Sequence, residues 1–232
     1  MIFGRHLAFV DASGGEEAAG ELWRRARNYV ADCARRGYEA GYAAHVQAGE
    51  SIWAAVDVEI EGDAEAQLAL RHAIYQLIGA GPDRPEYSIA AKGLSGPGYR
   101  GHVFWDTDVF MLPFFTYVQP GIGRNLLAYR RLTLDGARAK ARAKGYPGAM
   151  FAWESADTGE ETCPTSYTDP ETGETGHIWC GERELHITAD IVCALDRYVQ
   201  VTGDAQLLRD FGAEIIFETA RFWQARLEPG AD

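Results

Sequence analysis

The spacing of apolar positions along the chain is mostly helical. After a short apolar run, Ile2–Phe9, that reads as a strand, the breaker "DASGG" leads into a helix over 16–36, with Leu22, Ala26, Tyr29, Val30 and Cys33 on one face. A second helical stretch covers 38–53. "VDVEIEGD" alternates like a short strand, and "AEAQLALRHAIYQLIGA" returns to a helix that Asp63 is placed to cap. Further on, 107–117 is predicted as helical despite Pro113, and 123–144 as one helix stopped by Gly145 and Pro147. From Ile187, the residues Ile191, Ala194, Tyr198 and Val201 keep helical spacing up to "TGD". Asp204 is positioned to cap the last helix, whose inner stripe is Leu208, Phe211, Ile215 and Phe222, with Trp223 beside it.

Long helices with almost no strand pattern predict an all-α fold built of helical hairpins. The connections differ in kind. "VTGDAQ" is a plain turn, whereas the loops that end at Trp105, Trp153 and His186 hold aromatic and acidic residues together, as expected where loops gather around a pocket at one end. The division expected is a linker region over 1–60, with the short strand and its helices, and a helical domain over 61–232.

Composition narrows the chemistry. The 232 residues are 47% hydrophobic and carry a net charge of −12, so the chain can bury a core and has no overall basic face for nucleic acid. No run of eighteen apolar residues suggests a membrane span, and "MIFGRHLAFVDASGG" lacks a secretory layout, so a cytoplasmic protein with a neutral substrate is expected. Cys33, Cys163, Cys180 and Cys193 form no CxxC pair and are expected to be reduced, packed thiols. The histidines show no metal-ligand spacing, so no metal site is expected.

Two loops repeat one device. "FWDTD" sets Trp105 beside Asp106, and "FAWESADTGEE" sets Trp153 beside Glu154. A sugar ring offers an apolar C–H face that packs on an indole and hydroxyls at its rim that donate to carboxylates, so the repeated pair suits a pyranose. Taken singly, each pair also fits a buried aromatic beside a helix cap. "GPGYRGH" brings Arg100 and His102 to the first pair, and Asp108 reads as part of the following helix. In "GERELHITAD", Glu184 and His186 point the same way if that stretch is extended, while Thr188 and Asp190 equally suit a capping arrangement. Glu160 and Glu161 lie in a loop that runs through "TCPTSYTDPETGETGHIW", most of whose charge is expected to be solvated.

"GYRGHVFWDTDVFMLPFF", "YPGAMFAWESADTGEE", "GERELHITADIVCAL" and "TGDAQLLRDFGAEIIFETARFW", in that order, resemble the central domain of glycoside hydrolase family 65, which holds kojibiose, maltose and trehalose phosphorylases and acid trehalases. The resemblance implies an (α/α)6 barrel with its site among the loops at one end, of which this chain is the first part. It implies an inverting phosphorylase of α-glucosyl disaccharides that needs no cofactor and takes a disaccharide and inorganic phosphate, with an acid trehalase-like hydrolase using water, or an inactive sugar-binding piece, as the alternatives. Trp105, Asp106, Trp153 and Glu154 would then line the glucose subsite, with Arg100 and His102 in support and Glu184 and His186 reaching toward the acceptor. The loop over 161–179 lies where the family varies acceptor specificity. No catalytic residue is expected in this chain, because the family's general-acid glutamate belongs to a "DEYHE"-like segment expected beyond Asp232, with the phosphate site further downstream. A partial barrel would leave apolar faces such as that of Phe222 and Trp223 exposed, which predicts self-association, for instance as a homodimer.

Overall fold

A computed structural model describes residues 16–94, 96 and 98–227, which divide into one compact unit up to Val58 and another from Glu59 onward. The strand expected over Ile2–Phe9 lies outside the described residues. In the first unit, α1 (Glu16–Val56) joins the two helical stretches that the periodicity separates. Gly37 is the joint, at φ 77 and ψ 172, a backbone state that interrupts the helix and suits a residue without Cβ. Leu22, Val30 and Cys33 are half-buried and Ala26 is buried, whereas Tyr29, expected on the same face, is exposed.

The second unit starts without the strand expected from "VDVEIEGD". Alternation needs a neighbouring strand to become a ladder, and here the Ile60 amide donates to the Gln67 side chain at 2.6 Å instead. Asp63 does cap α2 (Ala64–Ala80), accepting from the Ala66 amide at 2.9 Å. A π-helical turn over Thr107–Met111 leads into α3 (Leu112–Val118), where Pro113 sits in the first turn and its missing N–H costs little.

The single helix expected over 123–144 is two: α4 (Pro120–Leu132) and α5 (Leu134–Ala143). Thr133 breaks it at φ −91 and ψ 4, with its hydroxyl donating back to the Tyr129 carbonyl at 3.0 Å. The break admits another backbone. A methyl at Gly136 would run into the Thr158 and Gly159 carbonyls, and Gly159, at φ +74, lies against Thr133.

The following loop holds a two-stranded antiparallel hairpin, β1 (Ser166–Thr168) with β2 (Thr175–His177), where no strand is expected. Its strand residues are nearly all exposed, so no apolar alternation announced it. Asp169 shapes the turn, its carboxylate accepting from the Glu171 and Thr172 amides at 2.8 and 2.9 Å. Then come α6 (Cys180–Arg183), α7 (Ile187–Thr202), α8 (Ala205–Leu207), a π-helical turn over Leu208–Gly212, and α9 (Ala213–Arg226). Asp204 caps α8 through the Leu207 amide at 3.1 Å, and Gly203 at φ 71 ends α7.

The second unit is the all-α, helical-hairpin arrangement expected, apart from that small hairpin. The core joins Leu112 and Phe115 of α3, Leu126 and Leu127 of α4, and Ile187, Ile191 and Leu195 of α7, with Phe211 and Ile215 closing it from the last helical run. Phe222 is not on an exposed flank but fully buried beside Ala141 and Met150, and Trp223 is half-buried, so the basis for the expected self-association is absent at these two residues. Among the described residues, no helix is long and apolar enough to cross a membrane.

Charged contacts help fasten the helices. Asp108 and Arg130 are each 2% exposed; Arg130 grips both carboxylate oxygens, at 2.5 to 3.2 Å, and gives a further hydrogen bond to the Phe104 carbonyl at 3.0 Å. Burial works against the Arg130 charge, but the Asp108 charge and hydrogen bonds outweigh it and raise its pKa. On the outside, Arg138 of α5 bonds to Glu214 and Glu218 of α9 at 2.7 and 3.2 Å. Burial pushes the Glu218 carboxyl up, yet hydrogen bonds from Arg138 and Arg221 hold it below the usual carboxylate range.

Removing one member of the buried pair strands the other. Asp108→Ala is expected to cost about 3–5 kcal/mol in urea denaturation, and Asp108→Leu combined with Arg130→Met clearly less. Because Glu218 has a lowered folded-state pKa, its contribution is complete above the unfolded value, near pH ~4.3, and fades as pH falls through the folded one. Melting from pH 6 down to about pH 3 should therefore show a smaller loss for Glu218→Gln than for the unaltered chain.

Candidate functional site

The two tryptophan loops meet because their backbones pair. The Val103 amide donates to the Ser155 carbonyl at 2.9 Å and the Ser155 amide to Val103 at 3.0 Å, an antiparallel bridge. Continued two places, that register sets Trp105 across from Trp153, and their ring centroids are 6.4 Å apart at a 43° tilt. The ring of His186 stands edge-on to both, 4.8 Å from Trp105 and 6.1 Å from Trp153.

A cleft of about 680 Å³ opens beside this pair. Arg100, His102, Trp105, Asp106, Trp153 and Glu154 all line it, six of the eight residues singled out from the sequence. Glu184 and His186 are not in its lining. His186 backs the tryptophans, and its Nδ1 meets an Asp190 carboxylate oxygen at 2.5 Å, while Glu184 lies 3.6 Å from His186 Nε2. The capping arrangement with Thr188 is not formed, since Thr188 is buried and its hydroxyl accepts from the Phe151 amide at 3.1 Å.

Each acidic residue has its own setting. Asp106 is half-buried at the start of the helical run, lines the cleft and makes no side-chain cap hydrogen bond. Glu154 is 7% exposed, and one of its oxygens meets His102 Nδ1 at 2.7 Å. That nitrogen also lies 3.2 Å from the Thr162 hydroxyl, which donates to the Glu154 carbonyl at 3.0 Å. Asp108 serves the Arg130 pair described above.

Glu161, in a loop most of whose charge is expected to be solvated, is the exception and the buttress of the second loop. Its carboxylate takes the amides of Trp153, Glu154 and Cys163 at 2.9, 3.1 and 3.2 Å and the Lys140 ammonium at 2.5 Å. Lys140 is buried, on the α5 face that carries Leu134, Ala137 and Ala141. A lysine in register with that apolar stripe was the readable sign that a carboxylate had to meet it.

Tyr99 was also not foreseen. With Arg100 and Gly101 it forms a turn of three positive-φ residues, at 59, 55 and 81°. Two residues with a Cβ in that region cost roughly 1–2 kcal/mol each, and the turn brings Tyr99 and Arg100 to the cleft, with the Tyr99 ring edge-on to Phe104 at 4.9 Å. Among the described residues, no group of three or more His, Cys, Asp or Glu is placed to hold a metal ion.

Fold and cleft together define a helical-hairpin protein whose loops build an aromatic and carboxylate-lined cleft. The sequence profile of the glycosyl hydrolase family 65 central catalytic domain matches residues 71–231, and the chain belongs to that family. It is 49% identical over 227 residues to a kojibiose phosphorylase of Halothermothrix orenii, covering 97% of this chain and 29% of that protein. It is 42% identical over 194 residues to a nigerose phosphorylase of Lachnoclostridium phytofermentans, covering 83% and 26%, and 40% identical over 184 residues to a kojibiose hydrolase of Flavobacterium johnsoniae, covering 79% and 25%. The chain thus spans under a third of the length of these curated relatives. A solved structure described as a kojibiose phosphorylase from the human microbiome superposes with a TM-score of 0.80 at 23% identity, over 92% of this chain and 28% of that one, so the fold is shared.

Glu161→Ala would strip three backbone amides and a buried lysine of their acceptor. A loss of roughly 3 kcal/mol or more in denaturant unfolding is expected, with a red shift of tryptophan emission, and Glu161→Gln should lose less.

Proposed function

We propose that this chain is the glucose-holding part of an inverting phosphorylase of α-glucosyl disaccharides, of kojibiose, maltose or trehalose type. In that reaction a phosphate oxygen attacks the anomeric carbon and the glycosidic C–O bond breaks. A glutamic acid protonates the departing sugar oxygen, so the products are β-glucose 1-phosphate and a free sugar. That acid and the phosphate contacts are assigned to sequence outside these 232 residues. No cofactor takes part.

In this reading the Trp105 and Trp153 rings pack on the apolar face of the glucose. Asp106 and Glu154 accept from its hydroxyls, with His102 fixing the Glu154 carboxylate and Arg100 at the rim. Glu184 and His186 serve from behind, holding the tryptophans at the acceptor side. The observation that carries the reading is the meeting of both Trp-acid pairs in one cleft, one of them with a carboxylate free of capping duty. The 49% identity to a kojibiose phosphorylase supports phosphate as the co-substrate.

A hydrolase is the second reading, favoured by the 40% identity to a kojibiose hydrolase. Product analysis of the full-length protein decides between them. Kojibiose, maltose and trehalose are supplied with and without inorganic phosphate. The phosphorylase yields glucose 1-phosphate only with phosphate, and glucose release that ignores phosphate would overturn it. Within that protein, Asp106→Ala should lower kcat/KM by roughly 10- to 150-fold, the worth of about one hydrogen bond to a charged group. An unchanged kcat/KM would remove Asp106 from the glucose site.

A further inference from the structure

The register of the small hairpin extends beyond its strands. Ser166 faces His177, and the Ile178 amide donates to the Thr165 carbonyl at 2.9 Å. Carried two places further, the same register sets Cys163 opposite Cys180. The chain leaves the ladder there, because α6 begins at Cys180, but the two residues remain neighbours. Gly181, whose nitrogen is bonded to the Cys180 carbonyl carbon, lies directly against Cys163. A methyl on Gly181 would come within 3.0 Å of the Cys163 Cβ. Both thiols are free, half-buried and in the lining of the cleft, and the sugar contacts use neither. A disulfide spans Cα atoms roughly 4.4–6.8 Å apart, and the close approach of Gly181 to Cys163 puts the adjoining Cys180 within such reach.

We propose that Cys163 and Cys180 form a reversible disulfide that locks the base of the 163–180 excursion at the cleft wall. An oxidant of the disulfide class, such as oxidised glutathione, accepts the electrons. One cysteine thiolate attacks it, releasing one reduced glutathione and leaving a mixed disulfide. The other cysteine then displaces the second glutathione. Two thiol protons and two electrons leave the protein, one S–S bond forms, and one is cleaved in the oxidant. Burial pushes the Cys163 thiol up, so closure quickens as pH rises. With the bond made, the wall of Cys163, Pro164, Ile178 and Cys180 is held in one position. The consequence for ligand binding rests on the sugar reading above; the bond does not.

The chain is equilibrated with excess oxidised glutathione and its peptides are mapped without reduction. The expected product is a Cys163–Cys180 linked pair, lighter by two hydrogens, that dithiothreitol reverses and that neither Cys163→Ser nor Cys180→Ser can form. Proteolysis within 164–179 should slow about tenfold in the oxidised chain, because local opening of the loop is restrained, and not in the serine variants. Persisting glutathione adducts on either residue, links to Cys33 or Cys193, or unreacted thiols would each overturn the proposal. Glucose titration of tryptophan emission is run on the full-length protein, oxidised and reduced. If the bond forms and glucose binds in neither state, it is the sugar reading that fails.

Discussion

Two charges taken out of water must find each other, and the contact between Asp108 and Arg130 meets that demand at the centre of the second unit. Because the carboxylate lies three residues after Trp105 and the guanidinium also holds the Phe104 carbonyl, α4 dictates where the first tryptophan loop ends and the helical run begins. The pairing of Val103 with Ser155 then hands that placement to the second loop. The two indoles meet because their backbones are in register, and that register hangs on a segment pinned by the ion pair.

The second loop has its own support of a different kind. Glu161 turns back on its loop and gathers backbone amides, while Lys140 supplies the compensating charge from α5. The tight seating of Gly136 against Gly159 brings α5 and the loop close enough for this to work. One loop is therefore held by an arginine acting on side chain and carbonyl, the other by a carboxylate acting on amides. Asp106 in the cleft lining makes no capping hydrogen bond, whereas the Glu154 carboxylate is already committed to His102.

What the sequence made legible follows from the range of each signal. The Asp63 and Asp204 caps and the α7 stripe of Ile187, Ile191, Ala194 and Tyr198 depend on contacts a few residues apart or on one continuous face, and they stand as read. Only Val201, the last of that series, is exposed. The break at Thr133 was invisible because its cause, the backbone of Gly159, is distant in sequence. "VDVEIEGD" had the alternation of a strand but no partner, whereas the true hairpin had a partner and no alternation. In the cleft, the Trp-acid dipeptides stood out by composition, while Glu161 looked like one charge among many until the buried Lys140 gave it a position.

The hairpin excursion has a consequence for how such a chain can be remodelled. Its two ends are tied together by the Thr165–Ile178 hydrogen bond and the ladder above it, and its strands are largely exposed. The 164–179 stretch is thus a cassette. The Val103–Ser155 bridge lies outside that stretch, so the wall that Pro164 and Ile178 give the cleft is built separately from the tryptophan pair.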